Sequence, residues 1–352
     1  MNLLVIRMSA MGDVALTLPA IRSVLDHYPD LTITLVTRRQ FLPFFENIDR
    51  LNGVAADVTG RHKGLGGLWR LYRELRKVHT LGGVIDLHDV LRSRILSLFF
   101  RLEHKPVYRI NKGRQEKKRL TARSHKRLTP LTHAIERYLD TFKRAGFPAN
   151  LSNYPNWFSG TVTPESFLRR GELSVKKGPW IGIAPFAKHR EKRWPLEKTE
   201  ALISALDRAG IRMFLFGGGP DETACLQAFA NQYPLAVVVA GHLALSEELG
   251  LMAQLDLMVS MDSANMHLAA LTGIPVISIW GATHPYAGFG PIGNNEQRIV
   301  QIPVERLGCR PCSVFGNKPC YRGDHACMEW IAPGDVIHKI SQVLEGFADR
   351  EK

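Results

Sequence analysis

Two acidic side chains and one lysine are placed where they could move a proton and hold a diphosphate. The first is Asp13, the last residue of Arg7-Met8-Ser9-Ala10-Met11-Gly12-Asp13, which joins a short apolar run to an amphipathic stretch from about Val14. Gly12 permits a tight turn with close backbone approach. An acidic residue at the carboxyl end of a first strand can act as a general base on an acceptor hydroxyl, and an Asp that opens a helix can equally be its N-cap. The segment is not the dinucleotide fingerprint G-x-G-x-x-G, and no acidic residue follows at the right distance after a second strand. Both points count against a dehydrogenase.

The lysine is Lys192. It lies in Pro185-Phe186-Ala187-Lys188-His189-Arg190-Glu191-Lys192-Arg193-Trp194-Pro195, where five cationic or potentially cationic side chains precede a proline that can open a helix. Such a loop suits a diphosphate, whose charge grows as it leaves; a solvated basic loop is the plainer reading. Next comes Phe216-Gly217-Gly218-Gly219-Pro220-Asp221-Glu222, whose glycines could simply make a turn or admit a nucleoside with Glu222 accepting from ribose hydroxyls. The second acid is Asp262. The run Leu257 to Ala270 passes from a buried strand through Asp262-Ser263-Ala264-Asn265-Met266-His267 into a small-residue helix, whose free N–H groups and dipole make an anion site. Ser263 can cap that helix, Asp262 can bond sugar hydroxyls, and His267 reads as packed in it. Trp280-Gly281-Ala282-Thr283-His284-Pro285 adds another polar strand end.

Four of the five cysteines form C-x2-C-x7-C-x6-C at Cys309, Cys312, Cys320 and Cys327. In a reducing compartment four thiols in one short segment can meet a tetrahedral structural zinc, with His325 able to replace one of them. Free thiols are the other reading.

The elements that must position these loops are visible as apolar runs alternating with amphipathic stretches. Leu3 to Ile6, Ile33 to Val36 and Val84 to Leu87 read as strands, with helices over Val14 to Leu25 and Leu91 to Phe100. The rhythm resumes with Trp180 to Ala184, Met213 to Phe216, Ala236 to Val239, Leu257 to Ser260 and Val276 to Trp280, and Pro333 opens a last helix. This is the pattern of two doubly wound parallel sheets, with ligands held at the carboxyl ends of the strands, in a cleft that the two domains face. The expected division is an N-terminal acceptor-binding Rossmann-like domain over 1–160, a linker over 161–178, a C-terminal nucleotide-sugar domain over 179–332 and a terminal helix over 333–352.

Charge is unevenly spread. Residues 1–150 carry 27 Lys and Arg against 13 Asp and Glu, whereas the remainder carries 19 against 20, so an anionic partner is expected for the first half. The excess is densest from Arg92 to Arg127, where 13 basic residues face only Glu103 and Glu116. Nucleic acid is one such partner, but the aromatic-interleaved basic pattern of base-stacking proteins is missing, and no nucleic acid is expected. No apolar run approaches the length of a spanning helix, and no targeting segment is visible, so the expected location is cytoplasmic.

Taken in order, these segments resemble glycosyltransferase family 9, the ADP-heptose:lipopolysaccharide heptosyltransferases. Met8 to Pro19 is similar to the family's S-x-x-G-D-V-x-x-T-x-P, Asp86 to Ser93 to its D-L-x-x-x-x-R-S, and Lys192 to Pro195 to its K-x-W-P. Gly218 to Glu222 resembles G-G-x-x-E, Asp262 to His267 resembles D-S-G-x-x-H, and Gly281 to Pro285 resembles G-x-T-x-P. The resemblance implies a GT-B fold whose C-terminal helix commonly crosses back towards the first domain. It implies inverting transfer of a heptose or related sugar from an ADP-sugar donor to an anionic glycolipid acceptor of the lipid A-Kdo type, with no cofactor required for catalysis. By that likeness Asp13 is the base, and Ser9, Gly12, His88 and Arg92 belong to the acceptor side. Lys192, Gly218, Glu222, Asp262, Ser263, Ala264, His267 and Thr283 belong to the donor side. Ala264 stands where the family commonly has Gly, and the loop after Ala184 lacks the common P-G-S opening. The basic segment suits an acceptor embedded in a membrane surface, with transient peripheral contact through its cations; the apolar residues of Leu91 to Phe100 read as a helix packed on the sheet. The rival is a nucleic-acid- or glycan-binding protein on a degenerate transferase fold.

Overall fold

A computed structural model of the chain describes all residues except 78–80, 159–175, 294–295 and 349–352. The chain divides into two compact units, Met1–Gly113 with Thr132–Gly160, and Arg114–Leu131 with Thr161–Lys352. Most of the expected linker over 161–178 therefore lies outside the described residues. The stretch of the basic segment from Arg114 to Arg127 falls within Arg114–Leu131 and so groups with the second unit, although it belongs to the N-terminal half of the sequence.

The first unit is built on a five-stranded sheet of β1 (Asn2–Ile6), β2 (Thr32–Thr37), β3 (Leu51–Ala55), β4 (Leu81–Asp86) and β5 (Val107–Arg109), in the order β3-β2-β1-β4-β5. Every pairing is parallel. A parallel strand covered by helices on both faces must be apolar throughout, and Asn2-Leu3-Leu4-Val5-Ile6 is buried along its whole length. Ile6 pairs with Val36 on one side and Asp86 on the other, so the loops after β1 and β4 leave the sheet side by side. The expected helix from Val14 is in fact two, Met11–Ala15 and Thr17–His27. The chain beyond Phe147 returns to this unit: Ser152 bonds Asp26 at 2.8 Å and Arg22 lies over the Tyr154 ring at 3.8 Å.

The second unit carries six parallel strands, β6 (Trp180–Ala184), β7 (Arg212–Leu215), β8 (Ala236–Val238), β9 (Leu257–Met261), β10 (Val276–Trp280) and β11 (Ile299–Gln301), in the order β11-β10-β9-β6-β7-β8. Ala184, Ser260 and Ser278 fall in register across β6, β9 and β10, which puts the loops after these strands along one edge. The order reverses between β1 and β4 in one sheet and between β6 and β9 in the other. These switch points are where doubly wound sheets leave room for a ligand. The terminal helix Pro333–Ala348 packs on the helix Leu196–Arg208 and buries Val336 and Ile340 in this unit's core. Among the described residues no helix is long and apolar enough to cross a membrane.

Candidate active site

In the first unit the loop after β1 brings Asp13 to a buried cation that the sequence reading passed over. Arg7, 6% exposed, pairs with Asp13 at 2.6 Å through Nη2 and donates to the Leu87 carbonyl at 2.7 Å through Nη1. The Tyr138 hydroxyl donates to the Asp13 main-chain carbonyl at 3.2 Å, and burial pushes that phenol's pKa up, so it stays a donor. Asp13 is not an N-cap. That position of Met11–Ala15 is Ala10, and the Asp13 side chain, 31% exposed, sits within the first turn with its carboxylate turned to Arg7. A half-open carboxylate with one fixed charge partner can still accept a proton from a bound hydroxyl.

The neighbouring loop after β4 is held by Asp86, whose carboxylate accepts from the main-chain N–H of His88 and Asp89 at 3.0 and 2.8 Å and from the Ser93 hydroxyl at 3.0 Å. Burial raises the Asp86 pKa. The role of this acid is to shape the turn that presents His88, whose Nε2 lies 3.3 Å from Ser9 Oγ, while its Nδ1 is buried with no hydrogen-bond partner. Burial, then the cations Arg7 and Lys112, hold His88 down at about 3, so it is a neutral imidazole at working pH and can serve an acceptor only by hydrogen bonding. Ser9, Asp13 and His88 thus gather at one strand edge, with Gly12 buried in the turn and half-buried Arg92 opening the helix Leu91–Leu102.

The depressed His88 value fixes a pH dependence. Between about 3 and its ordinary 6.5 the folded chain binds fewer protons at His88 than the unfolded one, so its stability contribution is intact above 6.5 and lost as pH falls towards 3. Melting temperatures recorded from pH 7 down to pH 4 are expected to fall less steeply in His88→Asn than in the parent chain.

In the second unit Lys192 and Asp262 meet. Lys192 Nζ lies 3.0 Å from Asp262 Oδ2, and the same oxygen accepts from Thr283 Oγ1 at 2.8 Å. Both charged side chains are mostly covered, at 14% and 10% exposure, so the pair is screened far less than a surface bridge. Lys192 ends the short 3-10 turn Arg190–Lys192, and its stem lies along Gly316, where an added Cβ would stand 2.5 Å from Cγ and Cδ. Gly316 also has φ +73, so any other residue would be strained as well as crowded. The Ala282 N–H donates to the Glu191 carbonyl at 3.1 Å, tying the lysine loop to the threonine loop.

Ser263 does not cap its helix. It stands at the N-cap position of Ala264–Leu271 with no side-chain cap bond, because its hydroxyl is turned to Ser260 Oγ at 3.2 Å. The first-turn N–H groups, starting at Ala264, therefore have no side-chain acceptor from the cap, which is what an incoming anion requires. His267 is buried inside the same helix. Glu222 closes the glycine loop: its Oε2 accepts from the Gly218 N–H at 2.9 Å, and its Oε1 lies 3.8 Å from Arg193.

A second buried cation, Arg310, also escaped the sequence reading. It is fully buried and donates to the carbonyls of Trp280, Gly281, Thr283 and Ile302 and to Gln301 Oε1. Burial pulls its pKa down to about 10, which still leaves it charged. Lys126 in turn donates to the carbonyls of Gly308, Cys309 and Arg310 at 3.0, 2.9 and 2.6 Å. The two cations replace missing secondary structure in the Gly/Pro/Cys stretch and so fix the loop carrying Thr283. Arg310→Lys keeps the charge but cannot reach all five acceptors, and chemical unfolding should show a loss of about 1–3 kcal/mol.

Of the two readings of the cysteine spacing, the structural zinc is not supported. Cys309, Cys312, Cys320 and Cys327 line one small cavity as free thiols, but among the described residues no three His, Cys, Asp or Glu side chains are grouped to hold a metal ion. Burial pushes the Cys327 thiol up to about 12 and raises Cys312 too, and the neighbouring cysteines add to both shifts.

Residues 68–316 match the model of glycosyltransferase family 9 (heptosyltransferase). The chain is 27% identical over 282 residues to lipopolysaccharide heptosyltransferase 3 of Escherichia coli K12, spanning 77% of this chain and 80% of that protein. It is 26% identical over 364 residues to lipooligosaccharide heptosyltransferase 2 of Haemophilus influenzae, spanning 98% and 99%. Among solved structures, E. coli heptosyltransferase WaaC with ADP-2-deoxy-2-fluoro heptose superposes with a TM-score of 0.67 at 20% identity, over 97% of this chain and 99% of that one. That similarity supports the fold.

Proposed function

The chain belongs to glycosyltransferase family 9, the heptosyltransferases, and from that premise we propose that it transfers heptose from ADP-heptose to an anionic lipopolysaccharide-core glycolipid. The second unit holds the donor and the first unit the acceptor. The observation that carries this reading is the Lys192–Asp262–Thr283 cluster at the strand edge that also opens the uncapped helix Ala264–Leu271. A carboxylate alone would repel a diphosphate. With its Oδ2 answered by an ammonium and a hydroxyl, Asp262 can bond sugar hydroxyls while Lys192 and the helix N–H groups take the phosphates.

The reaction then follows from charge. Asp13 accepts the proton of an acceptor hydroxyl as that oxygen bonds to the anomeric carbon, the bond from that carbon to the β-phosphate oxygen breaks on the opposite face, and ADP leaves with inversion. The leaving charge falls on the phosphates, where Lys192 and the helix end oppose it, so the step as drawn calls for no cofactor. Glu222 accepts from the ribose, and His88 with Ser9 and Arg92 orients the acceptor. On this reading the chain works at the cytoplasmic face of a membrane, where it meets its glycolipid acceptor.

A thermal-shift screen of nucleotide sugars tests the donor assignment. ADP-heptose should raise the melting temperature more than UDP- or GDP-sugars do; an equal response to all three, or none, would defeat it.

A further inference from the structure

The helices Gly64–Leu75 and Leu91–Leu102 pack side by side in the first unit, and their inner faces are spent on its core through Leu71, Tyr72, Leu75, Leu96 and Phe100. Their outer faces are unusual for a water-facing surface. On the second helix Leu91, Leu98 and Leu102 are 76%, 46% and 70% exposed, and the spacing of seven and four residues puts them on one side, with half-buried Ile95 between. On the first helix Leu65 and Trp69, four residues apart, are 67% and 48% exposed. The two stripes are joined, since the Trp69 ring meets Phe99 of the other helix edge-on at 5.1 Å. This makes a contiguous apolar patch, where isolated exposed leucines would need no explanation.

Charge says what covers it. The two helices carry five arginines against one acid, Glu74; that acid is answered by Arg61 at 2.5 Å and His62 at 3.3 Å, and of the arginines Arg94 is paired with Asp89 at 2.7 Å. Arg94 and Arg101 run seven residues apart along the flank of the leucine stripe, and exposed Arg70 and Arg73 flank Trp69. Apolar side chains bordered by cations, with a tryptophan at the boundary, are matched by hydrocarbon bordered by anionic headgroups. We propose that the outer face of these two helices docks the chain on an anionic lipid bilayer. The face shares only Arg92, on the helix Leu91–Leu102, with the residues assigned to the acceptor, no variant below touches that arginine, and the inference does not depend on the transferase reading.

The test is co-sedimentation of the full chain, without donor or acceptor, with vesicles of phosphatidylcholine alone and with vesicles about one-third phosphatidylglycerol. Binding is expected to the anionic vesicles, weak to the neutral ones, and reduced by high salt. Leu98→Glu/Leu102→Glu and Arg70→Gln/Arg101→Gln should each weaken it about tenfold or more while leaving the ADP-induced thermal shift unchanged, since all four side chains lie on the surface. Absence of binding by the parent chain, or equal binding by both variants, would overturn the proposal. So would a dimer in solution that the leucine variant dissociates, because the face would then belong to a second copy of the chain.

Discussion

Asp13→Asn is expected to lower kcat about a thousandfold, within the range that one positioned general base supplies, while ADP binds as before. The substitution is nearly isosteric. The amide oxygen can still accept from Arg7, which keeps its bond to Leu87, so the turn should survive and the loss should be chemical. What disappears is the group able to take the acceptor's proton. The Arg7 ion pair sharpens the expectation, because a carboxylate held by a buried guanidinium is fixed in direction and cannot be replaced by a neighbour: His88, at the same strand edge, is a poor base with its pKa lowered to about 3. Initial rates over a range of donor and acceptor concentrations measure the effect, and a rise in KM alone with kcat preserved would remove Asp13 from the chemistry.

Lys192→Ala should cost about a hundredfold or more in kcat/KM, the scale on which one preorganised charge at a developing anion is worth keeping. Two consequences arrive together. The diphosphate loses its ammonium, and Asp262, only 10% exposed, is left with Thr283 as its remaining partner beside an incoming anion. ADP affinity should therefore fall as well, unlike in Asp13→Asn. Lys192→Arg is not a conservative repair, because the stem lies against Gly316, where the loop leaves little space for a planar fork. Asp262→Asn in the Lys192→Ala background should recover part of the lost affinity by removing the uncompensated charge; affinity unchanged from the single variant would mean the carboxylate does not face the phosphates.

How far the sequence led depends on what each signal physically is. Interior parallel strands are apolar on both faces, so β1, β6 and β10 were legible as unbroken runs, with bounds close to those observed. Edge strands are not under that constraint. β3 contains exposed Asn52 and Gly53, and β5 and β11 have three residues each, so these three gave no run long enough to notice, whereas edge strand β8 continues into buried Val239 and Ala240 and was legible. The helix read from Val14 breaks around Leu16, where no proline or glycine announces it.

The site divides in the same way. Residues whose type is itself the signal, Asp13, Lys192, Glu222 and Asp262, were singled out because each stands in the loop after a strand in a recognisable local pattern. Arg7 and Arg310 were missed because their meaning lies in burial. In sequence, one is a cation closing a strand and the other an arginine between two cysteines, and nothing local says that the chain folds over them. The cysteines left two readings open for the converse reason. Spacing reports that four sulfurs share a segment, and they do line one cavity, but how they are disposed there is set by the path of a loop that Arg310 and Lys126 hold by its carbonyls. Ser263 was a reasonable cap by type, and its hydroxyl chose Ser260 instead.

The account rests on a division of labour between a base in the first unit and a diphosphate cradle in the second, and calorimetric titration of ADP into three chains tests it most directly. Parent and Asp13→Asn should bind ADP alike, and Lys192→Ala should bind it about tenfold or more weakly, although both variants are nearly inactive in transfer. If Asp13→Asn loses ADP binding while Lys192→Ala retains it, the roles assigned to the two units are wrong.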